Sequence, residues 1–198
     1  MHLEAIVLAA GAGSRFGGGK LLAPWRGSVL LSGALASALA APVRSVHVVW
    51  GADPAVAAAA SDIAARLEAS ARLRLVSATQ HAEGLSASLA AGVAALPGDA
   101  EAAFVFLGDM PRIPDGVTGA LAQALRDDVH ASAPTFEGRR GHPVLFGRAL
   151  WPSLMGLTGD RGAGDLLRGL GDRLALVAAP DDGVLFDVDE PSDISGGA

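Results

Sequence analysis

Gly11, Gly13, Ser14, Arg15 and Lys20 fall within one stretch, LAAGAGSRFGGGKLLA (residues 8–23), and that mixture of residue types suits a polyanion. Gly11 and Gly13 permit positive φ and close backbone approach, so amide N–H groups can converge on phosphate oxygens. Arg15 and Lys20 add charge, the arginine through paired donors and the lysine as a mobile point charge. A surface loop that merely tolerates glycine is the plain alternative. Two better-known phosphate fingerprints fail on register. In G-x-G-x-x-G the third glycine position is Phe16, and about 20 residues further on, around Ala34 to Leu39, no acid is available for a ribose. In G-x-x-x-x-G-K-[ST] the pair Gly19-Lys20 is followed by Leu21, which has no hydroxyl for a metal.

A second chemical group is FVFLGDMPRI (residues 104–113), where an apolar run delivers Asp109 to a turn broken by Pro111. A carboxylate that ends a buried strand can hold Mg²⁺ and through it a triphosphate, although a turn-forming aspartate reads the same way. Asp187 and Asp189 in FDVDEPSDI could complete such a metal site; DEPSD also reads as a capped turn before a short helix, with Asp193 structural. In HAEGLSASLAAGV (residues 81–93), Gly84, Leu85 and Ser86 stand at a helix start, where they either cap the helix or offer small polar groups to a base. GRRGHPVLF (residues 138–146) puts Arg139, Arg140, Gly141 and His142 ahead of a strand, suited to an anionic acceptor or simply to a solvated turn. The five histidines show no metal-ligand spacing.

These groups need a frame that brings them to one edge. Short apolar runs alternate with alanine- and leucine-rich segments, the pattern of βαβ units around a mainly parallel sheet. Strands are expected at Glu4 to Ala9, Ser45 to Trp50, Leu73 to Ser77, Ala103 to Leu107, His130 to Pro134, Val144 to Phe146, Leu174 to Ala178 and Val184 to Val188. Helices are expected at Val29 to Ala40, Ala55 to Ala69, Leu85 to Leu96 and from Pro114 to about Arg126, with Pro54 near a helix start. No linker or repeat divides the 198 residues, so one domain is the expectation. A net charge of −6 argues against binding a nucleic-acid backbone, so a polyanionic ligand must be held locally. The absence of cysteine excludes thiolate metal sites and cysteine nucleophiles and fits a reducing cytoplasm. The N-terminal run carries Glu4 and is short, unlike a secretory signal, and no uninterrupted apolar stretch is long enough for a membrane span.

LAAGAGSRFGGGKLLAP, EGLSASLAAGV, LGDMP, GRRGHPVLF and DVDEPSD occur in one order along most of the chain, and together they resemble the molybdenum cofactor nucleotidyltransferases, most closely the cytidylyltransferase branch. The resemblance implies a Rossmann-like three-layer α/β sandwich, a nucleoside triphosphate with Mg²⁺, and an acceptor with a terminal phosphate, molybdopterin. A recipient molybdoenzyme or its chaperone would be a further partner. The resemblance also carries nucleotide binding onto Leu8, Ala9, Ala10, Gly11, Gly13 and Ser14, triphosphate binding and catalysis onto Arg15 and Lys20, and the metal onto Asp109 with Asp187 or Asp189. Guanylyl-transferring relatives tend to carry LAGG where this chain has Leu8-Ala9-Ala10-Gly11, so Ala10 points toward CTP. Two departures stand out: Phe16 replaces a common methionine, and DEPSD replaces the more usual DTPED. Guanylyl transfer, a sugar-phosphate acceptor, a dinucleotide-binding oxidoreductase and a non-catalytic pterin carrier are the competing readings.

Overall fold

The computed structural model describes residues 1–11, 13, 16–51, 53–159 and 162–195. Along the chain the elements are β1 (Leu3–Ala9), a two-strand hairpin of β2 (Pro24–Trp25) and β3 (Ser28–Val29), α1 (Leu31–Ala40), β4 (Val46–Trp50), α2 (Pro54–Arg66), β5 (Leu73–Ser77), α3 (Leu85–Ala94) and β6 (Ala102–Leu107). Then come α4 (Val117–Ala124), β7 (Ala131–Phe136), β8 (Arg139–Arg140), β9 (Val144–Gly147), α5 (Trp151–Met155), α6 (Gly164–Gly169), β10 (Leu174–Ala178) and α7 (Pro191–Ser195).

The main sheet runs β10-β7-β9-β6-β1-β4-β5, with β8 added to β7. The β5-β4-β1-β6 block is parallel throughout, and β9 runs antiparallel between β6 and β7. Apolar cores lie on both faces. One joins β1, β4 and β6 to α1, α2 and α4; the other joins the opposite faces of those strands to α3, α5 and α6. This is the expected α/β three-layer sandwich with a mainly parallel sheet. A central parallel strand is covered on both sides, and β1 is buried at every position. Glu4 sits in that buried strand because Ser45 donates to it from both its backbone N (3.0 Å) and Oγ (2.6 Å), and Arg44 Nε donates at 2.8 Å.

From β1 the chain moves outward to β4 and β5, then returns to place β6 on the other side of β1. The strand order therefore reverses between β1 and β6, and ligands of open α/β sheets bind outside the carboxyl ends of the strands at such a point. Leu8 pairs with Leu107, which aligns the loop after β1 with the turn after β6.

Most of the elements expected from the pattern form within a few residues of their predicted bounds. Asp53 caps α2 by accepting from Ala55 N at 2.9 Å, with Pro54 in the first turn. Two differences matter. Val29 lies in the β2–β3 hairpin, so α1 begins at Leu31. Val184 to Val188 is not a strand: Asp182–Leu185 is a 3₁₀ turn, and the rest is irregular. Its backbone bonds go to loops instead. His142 N donates to Val184 O (2.9 Å) and Val188 N donates to Asp109 O (3.1 Å), while the buried Val184 and Val188 side chains account for the apolar pattern.

Candidate functional site

The glycine-rich loop leaves β1 at Ala10 and returns into a 3₁₀ turn, Lys20–Leu22. Leu21 anchors that turn in the core beside α1, which leaves Lys20 facing the sheet edge. Gly13 adopts φ +58°, and a Cβ there would lie 2.9 Å from Lys20 Cβ, so the loop folds onto the lysine stem only with glycine at this position. Phe16 packs in a small apolar cluster with Trp25, Leu30 and Val188, tying the loop to the late segment of the chain. Ser14 and Arg15 lie outside the described residues.

Lys20 Nζ stands 2.7 Å from Asp109 Oδ2 and 3.3 Å from Asp189 Oδ1, so one cation joins the turn after β6 to the late segment. Burial lowers the Lys20 pKa, but hydrogen bonds and attraction from Asp109 and Asp189 outweigh it, and the net direction is upward. Asp187 is held above the usual aspartate value, first by partial desolvation and then by the negative charges of Asp189 and Asp109. Asp193 accepts from the backbone N of Asp189 (2.9 Å) and of Glu190 (2.8 Å), which fixes the loop that presents Asp189. Mg²⁺ is commonly held by one or two carboxylates, with phosphate and water completing its shell. Asp109 and Asp189, drawn together on one ammonium, supply such a hard oxygen pair; no group of three or more His, Cys, Asp or Glu side chains fit to hold a metal is found among the described residues.

A cleft of about 630 Å³ opens here, lined by Gly11, Gly13, Lys20 and Asp109 together with His81, Ala82, Gly84, Leu85 and Ser88. Leu8 and Ala10 line its floor, and Ala9 faces an adjoining hollow with Gly51, Asp53 and His81. Ser86 points elsewhere. Its Oγ donates to Gly159 O at 2.7 Å, and it lines a groove on the far side of α3. Gly84, Leu85 and Ser88 share the cleft face of that helix start, as helical spacing requires.

Beyond Leu8, Leu85 and Leu107 lies a second, largely apolar cavity of about 260 Å³, reached by Arg140, Gly141 and His142. Successive strand residues face opposite ways. On β8, Arg140 therefore takes the inward position and Arg139 is exposed, lining neither cavity. Burial depresses the His142 pKa, and its Nδ1 is buried without a hydrogen-bond partner among the described residues. Antiparallel β9 brings its own N-terminal end to the edge where the parallel strands end, which is how His142 reaches the site.

Sequence reasoning missed Ser88, Arg140 as the inward member of its pair, and His81. Alternation separates Ser88 from Ser86 and Arg140 from Arg139, but which member turns inward is set by packing; His81 is a lone residue in a turn and carries no periodic signal.

A lysine on a glycine-rich turn, facing carboxylates across the switch point of a parallel sheet, with a second cavity alongside, defines a nucleotidyltransferase of Rossmann-like architecture. The chain belongs to the MobA-like NTP transferase family, whose domain matches residues 5–176. It is 26% identical to the molybdenum cofactor cytidylyltransferase of Escherichia coli over 193 residues, 96% of this chain and 93% of that protein. Among solved structures it is similar to a nucleotidyl transferase from Methanothermobacter thermautotrophicus, with TM-score 0.78, 26% identity and coverage of 98% of this chain and 95% of that one. The fold is shared with Rv0371c of Mycobacterium tuberculosis in complex with manganese, at TM-score 0.72 and 21% identity, covering 90% of this chain and 89% of that one. No helix among the described residues is long and apolar enough to cross a membrane.

Proposed function

We propose that this protein, acting as a single domain in the cytoplasm, transfers CMP from CTP to the terminal phosphate of molybdopterin and releases pyrophosphate. The observation that carries the reading is the junction of two cavities at the β1–β6 switch point, one lined by Lys20 and Asp109 and the other by Arg140 and His142. The triphosphate lies against the Gly11–Gly13 loop with Lys20 on its phosphates, and Arg15 is assigned the same task. The acceptor's ring system occupies the apolar cavity, Arg140 holds its anionic end, and Gly141 and His142 form the wall beside it. Leu8, Leu85 and Leu107 border both cavities and keep water from the junction.

An acceptor phosphate oxygen attacks the α-phosphorus, a new P–O bond forms, and the bond to the bridging oxygen of the β-phosphate breaks. The nucleophile is already anionic and no proton must be removed, so the residues position and neutralise rather than act as bases. Asp109 with Asp189 or Asp187 would hold Mg²⁺, which when bound would supply charge neutralisation for the phosphates. Similarity to the E. coli cytidylyltransferase and the Ala10 signature favour CTP. The test pairs each of the four nucleoside triphosphates with molybdopterin and Mg²⁺ and reads pyrophosphate. Release with CTP that falls at least about 100-fold in Asp109→Ala supports the proposal. Pyrophosphate with GTP alone, or only with a sugar phosphate as acceptor, would reassign the substrates; undiminished turnover of Asp109→Ala in saturating Mg²⁺ would remove the metal assignment.

A further inference from the structure

The lining of the cleft bears on which base it admits. With its phosphates on Lys20, a nucleotide laid in the cleft would bring its base against the remaining lining, His81, Ala82, Gly84, Leu85 and Ser88. His81 belongs to the 3₁₀ turn His81–Glu83 that follows β5, and it lines both the cleft and the adjoining hollow. The turn is pinned to the sheet, because Ala78 N donates to Trp50 O at 2.9 Å. The Ala78 carbonyl in turn accepts from His81 backbone N at 3.1 Å and lies 2.9 Å from His81 Nδ1. A carbonyl oxygen has no proton to give, so in the neutral ring Nδ1 carries the hydrogen and Nε2 presents a lone pair. The ring is also held sideways. A Cβ on Gly51 would come within 3.0 Å of His81 Cγ and 2.7 Å of Ala10 O, so the imidazole and the Ala10 carbonyl sit close together over the end of β4.

Resting on the nucleotidyltransferase reading above, we propose that His81 selects the base, its Nε2 accepting a hydrogen bond from the exocyclic amino group that cytosine and adenine carry and uracil and guanine lack at that edge. A keto oxygen in the same place would face a lone pair and leave both acceptors unsatisfied, which costs more than a simple missing contact.

The experiment measures Kd by calorimetry for CTP, UTP, ATP, GTP and the triphosphate of 2-pyrimidinone riboside, a cytidine analogue without the amino group, on the wild type and on His81→Phe. Phenylalanine keeps a flat ring over Gly51 but offers no acceptor. The wild type should bind CTP about tenfold more tightly than UTP or the pyrimidinone analogue. His81→Phe should bring the three together, chiefly by weakening CTP. ATP binding that follows the same pattern assigns the readout to the amino group alone; ATP that fails to bind assigns cytosine by size. A wild type that binds CTP and UTP equally, or a His81→Phe variant that retains the CTP preference, overturns the inference while leaving transfer chemistry intact. If none of the triphosphates binds the wild type, the nucleotidyltransferase reading falls together with it. As a check independent of the substituted ring, Gly51→Ala should displace His81 and narrow the CTP-to-UTP ratio with His81 still present.

Discussion

Replacing Lys20 with methionine keeps most of the stem and removes the charge, and it should separate three quantities that usually fall together. Opposite charges 4 Å apart attract by about 4 kcal/mol at an effective dielectric near 20. The Lys20–Asp109 contact is shorter, 2.7 Å, and both side chains are largely shielded, at 11% and 27% exposed. Desolvation of the ammonium offsets most of that attraction. Asp189 is half exposed, so its 3.3 Å contact adds less than about 1 kcal/mol. A net loss of about 1–2 kcal/mol in folding stability follows for Lys20→Met without ligands. Divalent-metal binding should move the other way. With the ammonium gone, it no longer competes with a cation for Asp109 and Asp189, and Mn²⁺ affinity of the nucleotide-free protein should rise about tenfold or more. Turnover should nevertheless fall roughly 30- to 900-fold, the equivalent of about 2–4 kcal/mol of lost charge stabilisation on the phosphates. Urea unfolding, Mn²⁺ titration followed by electron paramagnetic resonance, and pyrophosphate release measure the three. Turnover within threefold of wild type, or metal affinity that drops alongside stability, would refute the account of Lys20 as a cation that competes with metal for the carboxylates and then serves the triphosphate.

Asp187→Asn tests the acidic cluster through pH. An acid whose folded pKa lies above its unfolded value loses stability on ionising, so the penalty grows as pH climbs through the ordinary aspartate range and is complete above the folded value. In metal-free buffer the variant should therefore melt higher than wild type at neutral pH and converge with it in acid; identical melting curves at all pH values would contradict the crowding of Asp187 by Asp189 and Asp109. Arg44→Ala removes the guanidinium partner of the buried Glu4 carboxylate, which keeps its Ser45 donors, and should lower the urea midpoint of unfolding. Because that cluster lies at the opposite end of β1 from the cleft, kcat and KM should not change. Arg140→Ala should raise KM for the acceptor about tenfold and leave CTP affinity as it is, whereas Arg139→Ala should alter neither, as steady-state kinetics with each substrate varied will show.

The nucleotide half of the fold was largely legible because its signals are local. Apolar runs that end in a glycine-rich loop or in Gly108-Asp109 announce both the strand and the group it delivers, and the structure brings Lys20 and Asp109 to 2.7 Å. The helix start at Leu85 was equally visible, but which hydroxyl faces the ligand was not. Ser86 and Ser88 differ only by a rotation of the helix, and that rotation is set by packing against β1, β4 and α5. Arg139 and Arg140 pose the same problem on a strand of two residues, too short to reveal alternation. Val184 to Val188 misled for a different reason: its apolar residues are buried by a loop wedged between two turns, and burial without sheet pairing leaves the same trace in sequence as a strand. Phe16 looked like a departure from the family pattern; its packing with Trp25 and Val188 gives it a structural role the sequence does not display.

The reversed strand β9 gives the molecule a division of labour. The parallel block β5-β4-β1-β6 presents only carboxyl-terminal ends to the cleft, whereas β9 presents a beginning, so the His142 wall is encoded by a chain segment separate from those that build the nucleotide floor. Substitutions on β8, β9 and α6 can therefore reshape the cavity beside His142 while Lys20 and Asp109, carried on the loop after β1 and the turn after β6, keep their contact.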